Sequence, residues 1–236
     1  MNDVAKETKT APPRRDRNRR TPIWILIQQA ARVMNTVVFD LKTYGAYNVP
    51  KTGGVLLVSN HQSFLDPIIL SSGLDRTLSY LAKAELFHNR FFGWLIGSLN
   101  AFPVEQGAGD VGAVREAIAR LQEGHLLNVY PEGARTPDGE IQPMEKGVGL
   151  VIRRAKVPVV PVAIAGSFEA WPKHKKYPRP YPLRIMVGPP MYDLWKLDRD
   201  EILAKVDATL RRMYDDLRAG RIPPNPPRPP GRKFAN

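Results

Sequence analysis

Apolar positions along the chain follow two rhythms. From Tyr44 to about Val187, short runs rich in Val, Ile and Leu occur at residues 55–59, 78–82, 101–104, 126–130, 159–164 and 183–187. Between them lie longer stretches, at 67–73, 85–98, 110–122 and 146–155. In 110–122 the apolar Val111, Val114, Ile118 and Leu121 recur at every third or fourth position. The short runs predict buried strands and the longer stretches predict helices. Alternation of the two predicts a single layered α/β domain with a largely parallel sheet flanked by helices. In such folds the loops leaving the strand ends collect along one edge of the sheet, where sites form.

The flanks read differently. Thr21 to Leu41 predicts an amphipathic helix with Thr21 as cap and Pro22 in the first turn. Gln28, Arg32 and Asn35 share one face, and Ile23, Trp24, Leu26, Ile27, Ala31, Met34, Val38 and Leu41 occupy the rest. No apolar run reaches the roughly 18 residues of a spanning helix. The expectation is a helix lying in a membrane interface with its apolar side down; a helix packed on the domain's own core is the alternative. The Ile23–Ile27 run is short for a signal peptide, and Arg32 breaks the stretch beyond it. The expected location is therefore the cytoplasmic face of the membrane, peripheral or monotopic. At the other end, Asp198 to Leu217 predicts a helix whose stripe of Ile202, Val206, Leu210, Met213 and Leu217 packs on the core. The chain thus divides into a basic arm (1–20), the amphipathic helix (21–43), the main domain (44–218) and a Pro/Arg-rich tail (219–236) with six Pro between 223 and 230. Arm and tail are expected to be disordered.

Charge sharpens this division. The formal net charge is +12, with +4 in residues 1–20, +5 in 173–184 and +5 in 218–236, so the rest of the chain carries −2. Basic patches attract anionic lipid or nucleic acid. The cluster Arg14, Arg15, Arg17, Arg19 and Arg20 adjoins the amphipathic helix, and no nucleic-acid motif accompanies it, so an anionic membrane surface is the expected partner. The segment Trp171–Pro182 interleaves Lys and Arg with Trp171, Tyr177 and Tyr181, which suits an interfacial loop and a merely solvated one equally. There is no Cys, which excludes disulfides, thiolate nucleophiles and cysteine metal sites.

Two segments carry candidate chemistry, each coming after a predicted strand. Ser59-Asn-His-Gln-Ser-Phe-Leu-Asp-Pro67 holds His61 and, five positions on, Asp66. An imidazole titrates near neutral pH, and a carboxylate on one ring nitrogen fixes the tautomer and leaves the other free to take a proton. With four His and 23 acids in the chain, this spacing alone is a weak motif. The second segment, Val129-Tyr-Pro-Glu-Gly-Ala-Arg135, adds an acceptor in Glu132 and, in Arg135, a guanidinium suited to two oxygens of one phosphate. Phe64 and Leu65, between His61 and Asp66, are expected either to anchor the loop or to face an apolar substrate.

In this order the segments resemble the glycerolipid acyltransferase family, which contains the 1-acylglycerol-3-phosphate acyltransferases. Its His-x4-Asp block matches Asn60, His61, Asp66 and Pro67; its Pro-Glu-Gly-Thr-Arg block matches Pro131, Glu132, Gly133 and Arg135, with Ala134 in place of Thr. Lys83-Ala-Glu-Leu86 resembles the Lys-x-Glu-Leu block, and Val157–Val162 the late apolar-proline block. The resemblance implies a 1-acylglycerol-3-phosphate O-acyltransferase of phospholipid synthesis. It would take an acyl group from acyl-CoA or acyl carrier protein to the free hydroxyl of a lysophosphatidate-like acceptor, with no cofactor. His61 would be the general base, oriented by Asp66. Arg135 would bind the phosphate, Glu132 and Gly133 would shape the site, and Lys83 and Lys146 would supply further anion contacts. One position departs from the pattern: Gln106 stands where the family's second block ends in Arg. Either Arg135 with Lys83, Arg115 or Lys146 compensates, or the acceptor is another lysolipid, such as an ornithine-type one.

Competing chemistry is thin. Gly107-Ala-Gly-Asp-Val-Gly112 fits the G-x-G-x-x-G outline of a nicotinamide-dependent oxidoreductase. Glu105 and Gln106 separate it from its strand, however, and would bring a carboxylate near the pyrophosphate. No Gly-x-Ser-x-Gly elbow supports a covalent acyl-enzyme, and no His pair has metal-ligand spacing.

Overall fold

The structure is a computed structural model that describes residues 22–98, 100–104 and 111–222. It has one seven-stranded sheet in the order β1-β7-β6-β2-β5-β3-β4. The strands are β1 (Lys42–Tyr44), β2 (Val55–Ser59), β3 (Leu78–Lys83), β4 (Ala101–Val104), β5 (Leu126–Val129), β6 (Val159–Ala165) and β7 (Arg184–Val187). All neighbours pair in parallel except β6 with β7. The helices are α1 (Pro22–Phe39), α2 (Asp66–Gly73), α3 (Arg90–Ser98), α4 (Val111–Gln122), α5 (Lys146–Ala155), α6 (Ser167–Ala170) and α7 (Arg199–Arg218). The predicted largely parallel α/β sheet is therefore present. The stretch expected as one helix over 85–98 divides into a 3-10 turn at Ala84–Phe87 and α3. Strand β1, too short to show a period, lies across the boundary drawn at residue 43.

The sheet is buried on both faces, as parallel sheets must be. Successive residues of β2 point to opposite layers. Val55 and Leu57 join Ile69 and Leu70 of α2, whereas Leu56 and Val58 join Ala117 and Leu121 of α4 and Val151 and Ile152 of α5. Helix α7 lies on this second side, with Ile202 and Val206 in the same cluster and Leu210 packed near Ala163 and Ala165 of β6. Asp198 caps it, accepting from the Glu201 N–H while the Glu201 carboxylate accepts from the Asp198 N–H.

Helix α1 lies outside α2 and meets it with its polar stripe. The last turn of a helix leaves carbonyls without donors. Here Gln28 Nε2 donates to the Ser71 carbonyl at 2.9 Å, and Arg32 donates to the carbonyls of Ser72 at 2.9 Å and Leu74 at 3.2 Å. Asn35 Nδ2 donates to Ser72 Oγ at 2.8 Å. A guanidinium there also complements the negative end of the α2 dipole. The apolar side of α1 faces outward, with Leu26, Val33 and Val37 at 71%, 64% and 77% exposure. Among the described residues, no helix is long and apolar enough to cross a membrane.

Candidate active site

The chain leaves the C-terminal ends of β2, β5 and β6 side by side. This is the crevice edge of an open parallel sheet. The loop after β2 is pinned at its first residue. The buried Asn60 side chain donates to the Ile164 carbonyl at 2.9 Å and accepts from the Ile164 N–H at 2.8 Å, extending the β2–β6 pairing by one side chain. Beside it, Ser59 Oγ donates to Asn128 Oδ1 on β5 at 3.0 Å.

His61 Nδ1 lies 2.8 Å from Asp66 Oδ2. The same oxygen accepts the backbone N–H groups of Gln62 at 2.7 Å and Ser63 at 2.8 Å. Asp66 is fully buried and opens α2, so the helix N-terminus adds to the stabilisation of its charge. A carboxylate held this way accepts the Nδ1–H of His61, leaving the Nε2 lone pair open. The ring is stacked on Tyr130, with centroids 3.8 Å apart and planes 16° off parallel. Burial, with the charge of Asp66 adding, pushes the Tyr130 phenol far above its ordinary value, so it stays neutral.

The second motif forms the opposite side of this loop cluster. Both Glu132 oxygens are taken by backbone: Oε1 accepts the His61 N–H at 2.6 Å and Oε2 the Gln142 N–H at 2.8 Å. Glu132 is 8% exposed and acts as a buried tie between the two loops. Burial raises its pKa to about 7, while the two N–H donors pull the other way. The Thr136 N–H, one residue past the second motif, donates to the His61 carbonyl at 2.8 Å, so this one segment clamps His61 by both its backbone N–H and its carbonyl. Gly133, at φ 68°, takes the left-handed turn that this loop requires.

Arg135 comes to the same place. Its Cζ sits 3.4 Å from the centroid of the Phe64 ring, between His61 and Asp66 in the chain, and its Nη1 is buried without a partner. Burial lowers its pKa from the ordinary guanidinium value, and the charge of Asp66 opposes that. Leu65 is 3% exposed and anchors the loop, whereas Phe64 is 49% exposed and carries Arg135 on its face. Lys146 is exposed at the first position of α5, next to Glu145, whose N–H donates to the Pro131 carbonyl at 2.6 Å. Lys83 ends β3, two strands from β2. Gln106 and residues 107–110 of the glycine turn lie outside the described residues.

Several residues of this cluster have no sequence signature. Gln62 Nε2 donates to the Gly139 carbonyl at 2.8 Å and to Tyr214 Oη of α7 at 2.5 Å, and the Tyr214 hydroxyl donates to Gly139 O at 2.7 Å. Arg211 donates to the Ile141 carbonyl at 2.9 Å. Helix α7 thereby grips the loop that supplies Gln142 to Glu132. Only a fold brings residues 62, 139 and 214 together. Tyr130 could have been suspected as a polar-tipped residue at the end of a buried run.

Known proteins are similar to this chain in sequence and fold. A family model described as Acyltransferase matches residues 40–165, which include both motifs. The chain is 28% identical over 191 residues to a 1-acyl-sn-glycerol-3-phosphate acyltransferase of Bacillus subtilis, covering 80% of this chain and 93% of that one. It is also 28% identical over 180 residues to the mouse 1-acyl-sn-glycerol-3-phosphate acyltransferase alpha, covering 74% of this chain and 62% of that one. The crystal structure of the 1-acyl-sn-glycerophosphate acyltransferase PlsC from Thermotoga maritima superposes with a TM-score of 0.72 at 28% identity, over 83% of this chain and 80% of that one. With its two motifs joined in one loop cluster and the family model matched over more than half its length, this chain belongs to the acyltransferase family.

Proposed function

We propose that the protein is a 1-acyl-sn-glycerol-3-phosphate acyltransferase. It takes an acyl group from a thioester, on coenzyme A or acyl carrier protein, and works at an anionic membrane surface. The observation that carries the reading is the 2.8 Å contact between His61 Nδ1 and Asp66 Oδ2, with two backbone N–H groups on the same carboxylate oxygen. Such a pair presents a basic Nε2. The acceptor's hydroxyl gives its proton to Nε2 as its oxygen attacks the thioester carbonyl carbon. The C–S bond then breaks, and the imidazolium returns the proton to the departing thiolate. Asp66 holds the ring and stabilises the transient imidazolium. No covalent acyl-enzyme is required. Arg135, with donors to spare beside the same loop, takes the acceptor's phosphate.

The outward apolar side of α1 supports the membrane part of the proposal. A soluble domain gains nothing by turning Leu26, Val33 and Val37 to water, and an interfacial helix gains contact with lipid. The test is product analysis by mass spectrometry with purified protein, an acyl thioester and a panel of lysolipids. Lysophosphatidate should be acylated. His61→Ala should lower turnover at least about a hundredfold while circular dichroism stays unchanged. A folded His61→Ala protein with near-normal transfer would end the mechanism, and a preference for a phosphate-free lysolipid would end the acceptor assignment.

A further inference from the structure

The guanidinium of Arg135 rests face-on against an aromatic ring, with Cζ 3.4 Å from the Phe64 centroid. A carboxylate neighbour would claim the in-plane N–H groups and cancel the charge. An aromatic face attracts the cation through its quadrupole and leaves every edge donor free. Consistent with this, Nη1 of Arg135 is buried and has no partner.

Phe64 has an aromatic neighbour of its own. Its ring lies 5.3 Å from that of Trp171, tilted by 46°. Trp171 is fixed by its indole N–H, which donates to the Lys175 carbonyl at 2.9 Å, and by its own carbonyl, which accepts from Ser63 Oγ at 2.8 Å. Gly166, at φ 89°, makes the turn that brings Trp171 here, and a Cβ at that position would collide with the Pro182 carbonyl oxygen. In the chain Phe64 stands between Ser63, whose N–H holds Asp66, and Leu65, which is buried. The ring that carries Arg135 and the carboxylate that orients His61 therefore belong to one short loop.

We propose that Phe64 is a positioning residue for the acceptor: its ring, buttressed by Trp171, presents the free edge of Arg135 to a phosphomonoester at a fixed distance from His61. The site then selects acceptors by the separation of their free hydroxyl and their phosphate. This rests on the reading of Arg135 as the phosphate contact. Phe64 as a residue is nearly half exposed, which a core-packing role does not explain.

The experiment is steady-state kinetics with a water-soluble, short-chain 1-acylglycerol-3-phosphate at saturating acyl thioester. Phe64→Leu should raise the acceptor KM about tenfold, with kcat within about twofold, as expected for a lost cation–π contact. Phe64→Tyr should restore the KM. Trp171→Leu should move the KM in the same direction by less. In an Arg135→Gln background, Phe64→Leu should have no further effect, because the cation it serves is gone. The proposal is overturned if Phe64→Leu lowers kcat and thermal stability while the acceptor KM stays put, or if its effect multiplies with that of Arg135→Gln. An Arg135→Gln protein with an unchanged acceptor KM overturns the underlying reading, and with it this one.

Discussion

Helices α1 and α7 are both amphipathic, at 18 and 20 residues, and they sit on the sheet's opposite layers the opposite way round. Helix α7 buries its apolar stripe, with Ile202, Val206 and Leu210 at 0% exposure, and shows its charges to water. Helix α1 buries Asn35 at 0% and Gln28 at 7%, and shows Leu26, Val33 and Val37. Periodicity defines a stripe but not the side that faces the protein. What decides is the surface waiting for the helix. Under α7 lie apolar residues of β6 and β7, which only an apolar face can cover. Under α1 lie the unpaired carbonyls ending α2, which need donors.

The largest expected effect tests that contrast directly. Leu210→Ala removes a fully buried side chain and should cost about 2–5 kcal/mol, the range for a leucine cavity. Leu26→Ala, at 71% exposure, should stay within about 0.5 kcal/mol. Denaturant titration of both variants checks it. Similar losses at the two sites would mean that α1 packs its apolar side after all.

A somewhat smaller effect concerns the grip of α7 on the candidate site. Arg211 and Tyr214 hold the loop whose Gln142 N–H meets Glu132. The Glu132 carboxyl, raised by burial to about 7 from an ordinary 4.5, binds its proton more tightly in the fold than in the unfolded chain. Its contribution is thus complete below pH 4.5 and is lost as the pH rises through about 7. Between about pH 5 and about pH 8 the native protein should lose stability relative to Glu132→Gln, by at most on the order of 3 kcal/mol. The amide loses one backbone bond, but that offset does not vary with pH. Melting curves that run parallel across this range would remove Glu132 as the titrating tie.

Much of this was legible in the sequence, for physical reasons that differ by region. Strands β2, β5 and β6 are continuous apolar runs because both faces are buried, and they could be placed almost to the residue. The stripe of α7 could be read because Ile202, Val206, Leu210, Met213 and Leu217 follow a regular helical period. The pairing of His61 with Asp66 is short-range, so spacing suggested it. Glu132, by contrast, is held by an N–H 71 residues away, and no local pattern announces that. The stacking of Tyr130 on His61 and of Arg135 on Phe64 likewise depends on β2 and β5 being neighbours. The polar stripe of α1 was visible, but its partner was hidden. Carbonyl groups carry no side-chain signature, so nothing in residues 71–74 advertised a need for donors.

The smallest effect isolates the outward face of α1. Replacing Leu26, Val33 and Val37 together with Glu puts three carboxylates on positions that touch no core, so the melting temperature should hardly move. The same charges at Ile202, Val206 and Leu210 would be buried without partners and would unfold the domain. If α1 lies in lipid, each α1 replacement trades apolar contact for a charge facing anionic headgroups. Flotation with vesicles of phosphatidylglycerol and phosphatidylcholine should then show at least about a tenfold fall in bound protein. The basic segments remain, so binding to strongly anionic vesicles at low salt should survive in part and vanish as salt is raised. Unchanged flotation of the triple variant would place the lipid contact elsewhere and leave the inverted helix without a function. A fall in binding with an intact fold would show that one amphipathic pattern serves two ends in this chain: α7 uses its apolar side to build the domain, and α1 uses its polar side to join it and its apolar side to leave the water.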